Sequence, residues 1–339
     1  MYSEVTYKGT IRGSKIYPTS INYKIRYFLN SLRGKFNPSF LMFGITYNCQ
    51  ANCIHCCIKD YIKENEKELT TEETKNVLTQ AKNLNLMFVD WFGGEPILRE
   101  DIIELVKYSH NLGFYNFLET NGFGISKDKL IELKKAGLDT LFLSLESTDA
   151  KTNDKFKGLK NCYKNAIQCL KNSVEIGLGC IISTCTTREN IISGEIKKII
   201  QLAKELKVDG VRLILPISSG KWLHSEEVML TVKEEKKLEK LIDYPFVFWE
   251  SIYKYNIKDC ASKGKYFYIS PFGDVQPCPV VPFSFGNIRE ESLKNILERM
   301  WSHQMFKEGF GKTCMMLDHE FRKKYINKIP SNVKLPIRI

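Results

Sequence analysis

Apolar positions along this chain come in short runs that alternate with stretches of helical period. The runs fall at 40–46, 87–92, 114–119, 139–145, 179–185 and 210–215, rich in Phe, Leu, Ile and Val. Runs of that length and composition predict buried strands. Between them, apolar residues recur at i, i+3 and i+4 near 70–84, 99–112, 127–136, 160–177 and 193–206, which predicts helices packed by one face. Thr70 with Glu73 makes a capping box at the first helix, and Gly137 and Gly177 stand where a C′ glycine ends one. Six β-then-α units imply an α/β fold with a parallel sheet and right-handed crossovers. Periodicity does not choose between an open doubly wound sheet and a curved partial barrel. In either, ligands bind beyond the C-terminal ends of the strands.

After residue 220 the rhythm breaks. A charged helix is predicted from Thr231 to about 242, then a short apolar run, Phe246-Val-Phe-Trp. Tyr266 to Pro277 reads as two strands around a Pro271-Phe-Gly-Asp turn, and Ser292 to His303 as a helix. Three units are therefore expected: a basic N-terminal segment at 1–39, a βα domain at 40–220, and a smaller α+β appendage at 221–339. Ser218-Ser-Gly-Lys is the candidate linker.

Composition narrows the class. The 339 residues are 43% hydrophobic, enough for a large core, yet no uncharged apolar run is long enough to span a bilayer. Met1 to Lys8 lacks the order of a signal peptide, so a cytoplasmic location is expected. Eleven cysteines without such a signal argue for metal binding, not disulfides. Cys162, Cys169, Cys180 and Cys185 lie in apolar or amphipathic stretches and are expected in the core. Net charge is +11, and residues 1–40 hold seven Lys or Arg against Glu4 alone. Ile21 to Leu32 can form a basic amphipathic helix, which offers a contact for a membrane surface. The plainer alternative, and the favoured one, is a helix packed across the domain with solvated charges. A nucleic-acid partner is not expected.

Chemistry concentrates in the loop after the first strand. Cys49, Cys53 and Cys56 have the spacing Cys-x3-Cys-x2-Cys. Three thiolates can bind three irons of a four-iron cluster and leave one iron open. A tetrahedral zinc with His55 or Cys57 is the competing reading. Gly93-Gly94-Glu95-Pro96 follows the second strand. Two glycines allow close approach to the backbone, and exposed amides and carbonyls beside a carboxylate suit an ammonium group. An ordinary strand-end turn is the alternative.

Together these motifs make the chain resemble the radical S-adenosylmethionine (SAM) enzymes. The resemblance implies a partial (β/α)6 barrel. It implies that the open iron of a 4Fe-4S cluster chelates SAM, and that one electron cleaves SAM to methionine and a 5′-deoxyadenosyl radical. It implies that Gly93, Gly94, Glu95 and Pro96 bind the SAM amino group. Ser144 and Glu146 stand where family members have Ser-x-Asp, reaching the ribose or carboxylate. Lys157 stands near the place of an arginine that pairs with the SAM carboxylate. Ser183 and Thr184 are ribose contacts by position, and Leu213 to Pro216 would lie against the adenine. Thr120-Asn121-Gly122 ends the third strand and could face the site.

The tail adds a third resemblance. Cys260, then Ile269-Ser-Pro-Phe-Gly-Asp-Val-Gln-Pro-Cys278, then Cys314, is similar to the SPASM or twitch extensions of this superfamily. Three cysteines imply a twitch-like tail with one auxiliary iron–sulfur cluster, Asp318 or His319 being candidates for a fourth ligand. The alternative is a tail whose cysteines bind nothing. The family also implies an electron donor such as flavodoxin or ferredoxin. The substrate expected first is a peptide or protein; a small molecule, lipid or cofactor precursor comes second. A non-catalytic iron–sulfur or zinc scaffold is the rival from another class.

Overall fold

The computed structural model describes residues 38–61, 66–243, 245–249, 260–308 and 314–339. The basic segment with its amphipathic helix, and any membrane contact made through it, lies outside these residues.

Six parallel strands follow one another across one sheet: β1 (Phe40–Thr46), β2 (Phe88–Gly93), β3 (Tyr115–Thr120), β4 (Thr140–Ser144), β5 (Gly179–Cys185) and β6 (Gly210–Ile214). Each is within one residue of its predicted bounds, because each apolar run is buried on both sides and ends in turn residues. Helices α1 (Thr71–Asn83), α2 (Ile102–Asn111), α3 (Lys127–Ala136), α4 (Ala150–Lys157), α5 (Cys162–Glu175), α6 (Arg188–Ile192) and α7 (Glu195–Leu206) fill the crossovers. Thr70 and Glu73 form the expected capping box. Helix α4 carries little apolar periodicity. It is set instead by its ends, Asp149 accepting from Thr152 N and Gly158 closing it with φ +58°.

The two faces of the sheet differ. Leu41, Phe43, Val89, Trp91, Leu118, Leu141, Ile182 and Val211 pack with the helices in the main core. The alternate residues make a smaller cluster of Met87, Phe88, Phe117, Phe142 and Ile181, packed by Phe40, Tyr115 and Phe248. Helices on one face and aromatic side chains gathered on the other describe a curved partial barrel with an aromatic floor.

The chain after residue 220 mostly extends the barrel's sheet; apart from that it forms a two-residue parallel pairing of Phe283–Ser284 with Ile337–Arg338. Strand β7 (Val247–Trp249) extends the sheet beyond β6, and β8 (Tyr266–Ile269) pairs in parallel with β1 on the other side. Strand β9 (Val275–Gln276) turns back on β8, giving the order β7-β6-β5-β4-β3-β2-β1-β8-β9. The buried hydroxyls of Tyr47 and Tyr268, 2.8 Å apart, tie the end of β1 to β8. Helix α8 (Val232–Glu239) and helix α9 (Leu293–Ser302) match the remaining predicted helices. Cys162, Cys169, Cys180 and Cys185 are all buried, as expected of core residues. No helix among the described residues is long and apolar enough to cross a membrane.

Candidate active site at the barrel mouth

The loop carrying Cys49, Cys53 and Cys56 leaves the C-terminal end of β1, and other segments fix its backbone. Asn52 N donates to Lys157 O (2.9 Å), Ile54 N to Phe156 O (3.0 Å) and Lys221 N to Cys56 O (3.1 Å). At its root, Glu68 accepts from Tyr47 N (2.7 Å) and from the Thr46 hydroxyl (3.0 Å). Gly220 is required where it stands: a Cβ there would lie 2.3 Å from the Cys56 carbonyl oxygen, and its φ is +52°. The three thiols are free, half-exposed and within electrostatic reach of one another. Burial pushes the Cys49 thiol up to about 11, with Glu95, Cys53 and Cys56 adding to it. Burial also raises Cys53, against the pull of Lys157. Among the described residues, no three His, Cys, Asp or Glu side chains are drawn together as a single-ion site. Three thiols spread over one loop suit a cluster, whose irons are ligated one by one.

The Gly-Gly-Glu-Pro segment is joined to this loop by its backbone. Gly94 N donates to Thr46 O (2.8 Å) and Glu95 N to Asn48 O (2.9 Å). A Cβ on Gly93 would stand 2.1 Å from the Thr46 oxygen, and one on Gly94 2.4 Å from the Asn48 oxygen. The glycines thus admit the cysteine loop's own backbone; the expectation that a ligand needs the space is only part of the reason. Glu95 is held by groups of the neighbouring strand end. Its carboxylate is fully buried and turned toward the end of β3, accepting from the Thr120 hydroxyl and from Asn121 N, both at 2.8 Å. Burial raises its pKa to about 7, with those hydrogen bonds opposing. Pro96 is buried and begins the short helical turn that Glu95 caps. Asn121 in turn accepts from Gln50 of the cysteine loop (3.3 Å). The three strand ends are therefore one hydrogen-bonded unit.

On the other side of the loop lies a buried ion pair. Lys157 Nζ is 2.9 Å from Glu146 Oε1 and also contacts Ser144 Oγ, and neither charged side chain is more than 3% exposed. The other Glu146 oxygen accepts from Cys185 N (2.7 Å) and lies 3.5 Å from the Thr184 hydroxyl. Burial pushes Glu146 up, but Lys157, His55 and the hydrogen bonds outweigh it, leaving the group below the usual carboxylate range. The Lys157 ammonium is committed to this pair and to Ser144. The His55 ring packs at a tilt against Phe156, centroids 4.8 Å apart, with Nε2 3.9 Å from Glu146. Burial lowers its pKa to about 4, against the opposing pull of Glu146.

Ser183 is also committed. It accepts from Arg212 Nε (3.0 Å), whose Nη2 donates to Glu119 (2.7 Å) and whose guanidinium lies 4.2 Å over the Phe142 ring. This cross-strand pair, on the inner face above the aromatic floor, was missed from the sequence. A signal was present: an arginine inside the apolar strand Gly-Val-Arg-Leu-Ile is costly unless paired.

Two of the tail cysteines, Cys260 and Cys314, lie side by side. Cys260 and Cys314 are hydrogen-bonded thiols, with Cys278 within electrostatic reach of Cys314. The bond from Cys314 holds Cys260 below the ordinary thiol range, and the same bond, with burial, holds Cys314 above it. Asp318 caps the next turn at Phe321 N (3.0 Å), and His319 is exposed.

Comparison with known proteins places this architecture. Residues 44–206 match the radical SAM superfamily, and residues 260–324 match the SPASM iron–sulfur cluster-binding domain. The chain is 26% identical over 289 residues to the AdoMet-dependent heme synthase of Methanosarcina barkeri, covering 77% of this chain and 82% of that one. It is 26% identical over 276 residues to the PqqA peptide cyclase of Rhizobium meliloti, covering 76% and 73%. Its fold is similar to that of Streptococcus suis SuiB bound to S-adenosylmethionine, with a TM-score of 0.67 at 20% identity over 87% of this chain and 75% of that one. The chain belongs to the radical SAM superfamily and carries a SPASM extension. It is an enzyme whose cofactors are a 4Fe-4S cluster and SAM, with further iron–sulfur binding in the extension. The scaffold reading falls with that result.

Proposed function

We propose that this enzyme modifies a peptide. Cys49, Cys53 and Cys56 would hold the catalytic cluster, and Cys260, Cys278 and Cys314 an auxiliary one. When bound, the catalytic cluster supplies the electron that cleaves SAM and so generates a hydrogen-abstracting radical. The chain's own residues do the rest. Gly93 and Gly94 offer backbone groups to the SAM amino end, while Glu95 locks that segment to β3. The Glu146–Lys157 pair holds the wall beside Cys53, and Lys157 keeps one donor for the SAM carboxylate. Phe40, Phe88, Phe117 and Phe142 close the barrel floor and keep water from below.

The observation that carries the peptide reading is the charge of the barrel interior. Above the floor, the inner face presents Asp90, Glu119 and Arg212. That layer is not cationic. It suits amide groups and mixed side chains better than a substrate with several carboxylates, such as a tetrapyrrole, which needs an excess of Arg or Lys. The likeness to a peptide cyclase over most of both chains supports the same reading. The test is isotope transfer. With dithionite and SAM, a deuterated peptide from a panel of candidate precursor peptides should pass deuterium into 5′-deoxyadenosine. Deuterium arriving only from a tetrapyrrole would sink the proposal and favour the heme-synthase likeness.

A further inference from the structure

We propose that Arg322 of the extension is a positioning residue for the cysteine loop: it clamps the turn at 218–223, and that turn holds Cys53 and Cys56 by their carbonyls. The inference rests on reading Cys49, Cys53 and Cys56 as ligands of the cluster that cleaves SAM. Arg322 opens the helical turn Arg322–Ile326 and is 1% exposed. A guanidinium carries five N–H donors in a planar fork, and here every one has an acceptor. Nη1 donates to Ser218 O (3.0 Å) and Met316 O (3.4 Å), Nη2 to Ser218 Oγ (3.0 Å) and Leu223 O (3.0 Å), and Nε to Glu226 Oε1 (3.1 Å). Only Glu226 among these acceptors is charged, and its side chain is 39% exposed. The buried side of the fork is therefore spent on orienting backbone and not on an ion pair. Three of the five acceptors lie at the two ends of one turn, and a fourth lies two residues after Cys314.

The clamped turn meets the cysteine loop directly. Lys221 N donates to Cys56 O (3.1 Å) and Lys221 Nζ to Cys53 O (2.7 Å). Gly220 comes so close that an added Cβ would lie 2.5 Å from Cys57 Cα. Trp222 sets its ring against His55, which stands between Cys53 and Cys56, with centroids 6.0 Å apart. Ser218 Oγ donates to Trp222 O (2.6 Å), which closes the turn on itself. Close-packed groups transmit a displacement instead of absorbing it, so a shift of this turn is a shift of Cys53 and Cys56. The printed contacts of Arg322 include no residue of the cysteine loop; it acts through the turn. Lysine, a point charge without the fork, cannot hold Ser218 O, Ser218 Oγ and Leu223 O at one spacing.

The test compares full-length reconstituted wild type with Arg322→Met, Arg322→Lys and Ser218→Ala. Hydrogen–deuterium exchange over residues 49–57 should be faster in Arg322→Met than in wild type. In dithionite-driven release of 5′-deoxyadenosine, its KM for SAM should rise about tenfold, below the roughly hundredfold that misplacement by about 1 Å can cost. Its kcat per catalytic cluster should stay within about twofold, the pattern of weakened binding and not of a lost chemical group. Arg322→Lys should share the defect. Ser218→Ala should raise KM about threefold, as suits loss of one neutral hydrogen-bond acceptor. It leaves the guanidinium its other four acceptors, so it decides the question if Arg322→Met does not fold. A KM for SAM equal to that of wild type in the folded variants overturns the proposal, because Arg322 then serves only the fold of the extension. Unchanged exchange over 49–57 overturns it as well. Wild type that releases no 5′-deoxyadenosine would overturn the reading of the cysteine triplet instead.

Discussion

The two sets of cysteines are assembled in opposite ways. Cys49, Cys53 and Cys56 lie within eight residues, half-exposed, on a loop whose shape is imposed by Lys157, Phe156, Lys221, Glu68 and Gly220 from outside. Cys260, Cys278 and Cys314 are spread over more than fifty residues, and the two outer ones are buried. On the proposed reading, a site that admits SAM needs an open side and is made on a loop with its walls elsewhere, whereas a site that only holds or passes electrons can be enclosed among thiols from distant segments. The two are not independent bodies, since β8, which leads from Cys260 toward Cys278, is hydrogen-bonded to β1, which leads to Cys49.

The largest effect should come from breaking the first set. Cys53→Ala is expected to leave no detectable 5′-deoxyadenosine, because alanine offers iron no ligand. Replacing all three tail cysteines with alanine should instead lower bound iron from about eight to about four per chain and retain SAM cleavage, as ligation by four-iron clusters requires. Iron and acid-labile sulfide analysis after anaerobic reconstitution separates the cases. No loss of iron in the triple variant would mean that the extension's thiols are core residues and the comparison above fails.

The next effect tests the wall beside Cys53. Lys157→Met leaves Glu146 buried without its cation, which should cost about 3–5 kcal/mol. A double change, Lys157→Met with Glu146→Leu, should recover much of that loss in a denaturant titration. Glu146 sits below its ordinary range, so its contribution is present above the unfolded carboxylate pKa and disappears as pH falls through the folded one. Wild type should therefore lose this stability only in acid, and the double variant should lack that loss. If the single variant is as stable as wild type, the pair is not the support that its burial implies.

Much of this was legible before any coordinates. The six strands and five of the crossover helices followed from apolar runs and caps, and the cysteine loop and the Gly-Gly-Glu-Pro turn from spacing. What failed to show had physical reasons. Helix α4 has too few apolar residues for its period to register, although Asp149 and Gly158 mark both ends. The partners of Glu95, Lys157 and Ser183 come from other strands, so sequence shows a polar residue at a strand end but not that Thr120, Glu146 or Arg212 already holds it. The joining of β8 to β1 is invisible for a similar reason: pairing between segments more than two hundred residues apart leaves no local pattern.

A smaller effect bears on Glu95, which links the mouth to β3. Its pKa is raised to about 7 by burial, so the folded state binds the proton more tightly than the unfolded chain. Stability from this group is then greatest below the unfolded carboxylate pKa and falls as pH rises toward about 7. The limiting slope is about 1.4 kcal/mol per pH unit. Glu95→Gln, which can still accept from Asn121 N, should remove that decline and keep the cluster's iron. An unchanged pH profile would show that the carboxylate is ionised throughout.

The smallest effect tests whether the extension steadies the catalytic loop. Arg289, beyond β9, donates to Lys67 O (3.0 Å), to Glu68 O (3.3 Å) and to Glu73 Oε1 (2.6 Å). Glu68 in turn holds the backbone at Tyr47, two residues before Cys49. Arg289 and Glu73 are both about one-third exposed, so solvent screens their attraction, and Arg289→Ala should cost global stability only about 0.5 kcal/mol. Glu68→Ala removes the side-chain acceptor of Tyr47 N at the root of the loop and should cost about 1–3 kcal/mol locally. The informative readout is therefore the rate at which a chelator strips iron, not a melting curve. Both variants should lose the catalytic cluster's iron faster than wild type, Glu68→Ala more so, while the iron held by the tail thiols leaves at the wild-type rate. Equal stripping rates in all three proteins would show that the extension and the cysteine loop share a sheet but no mechanical support.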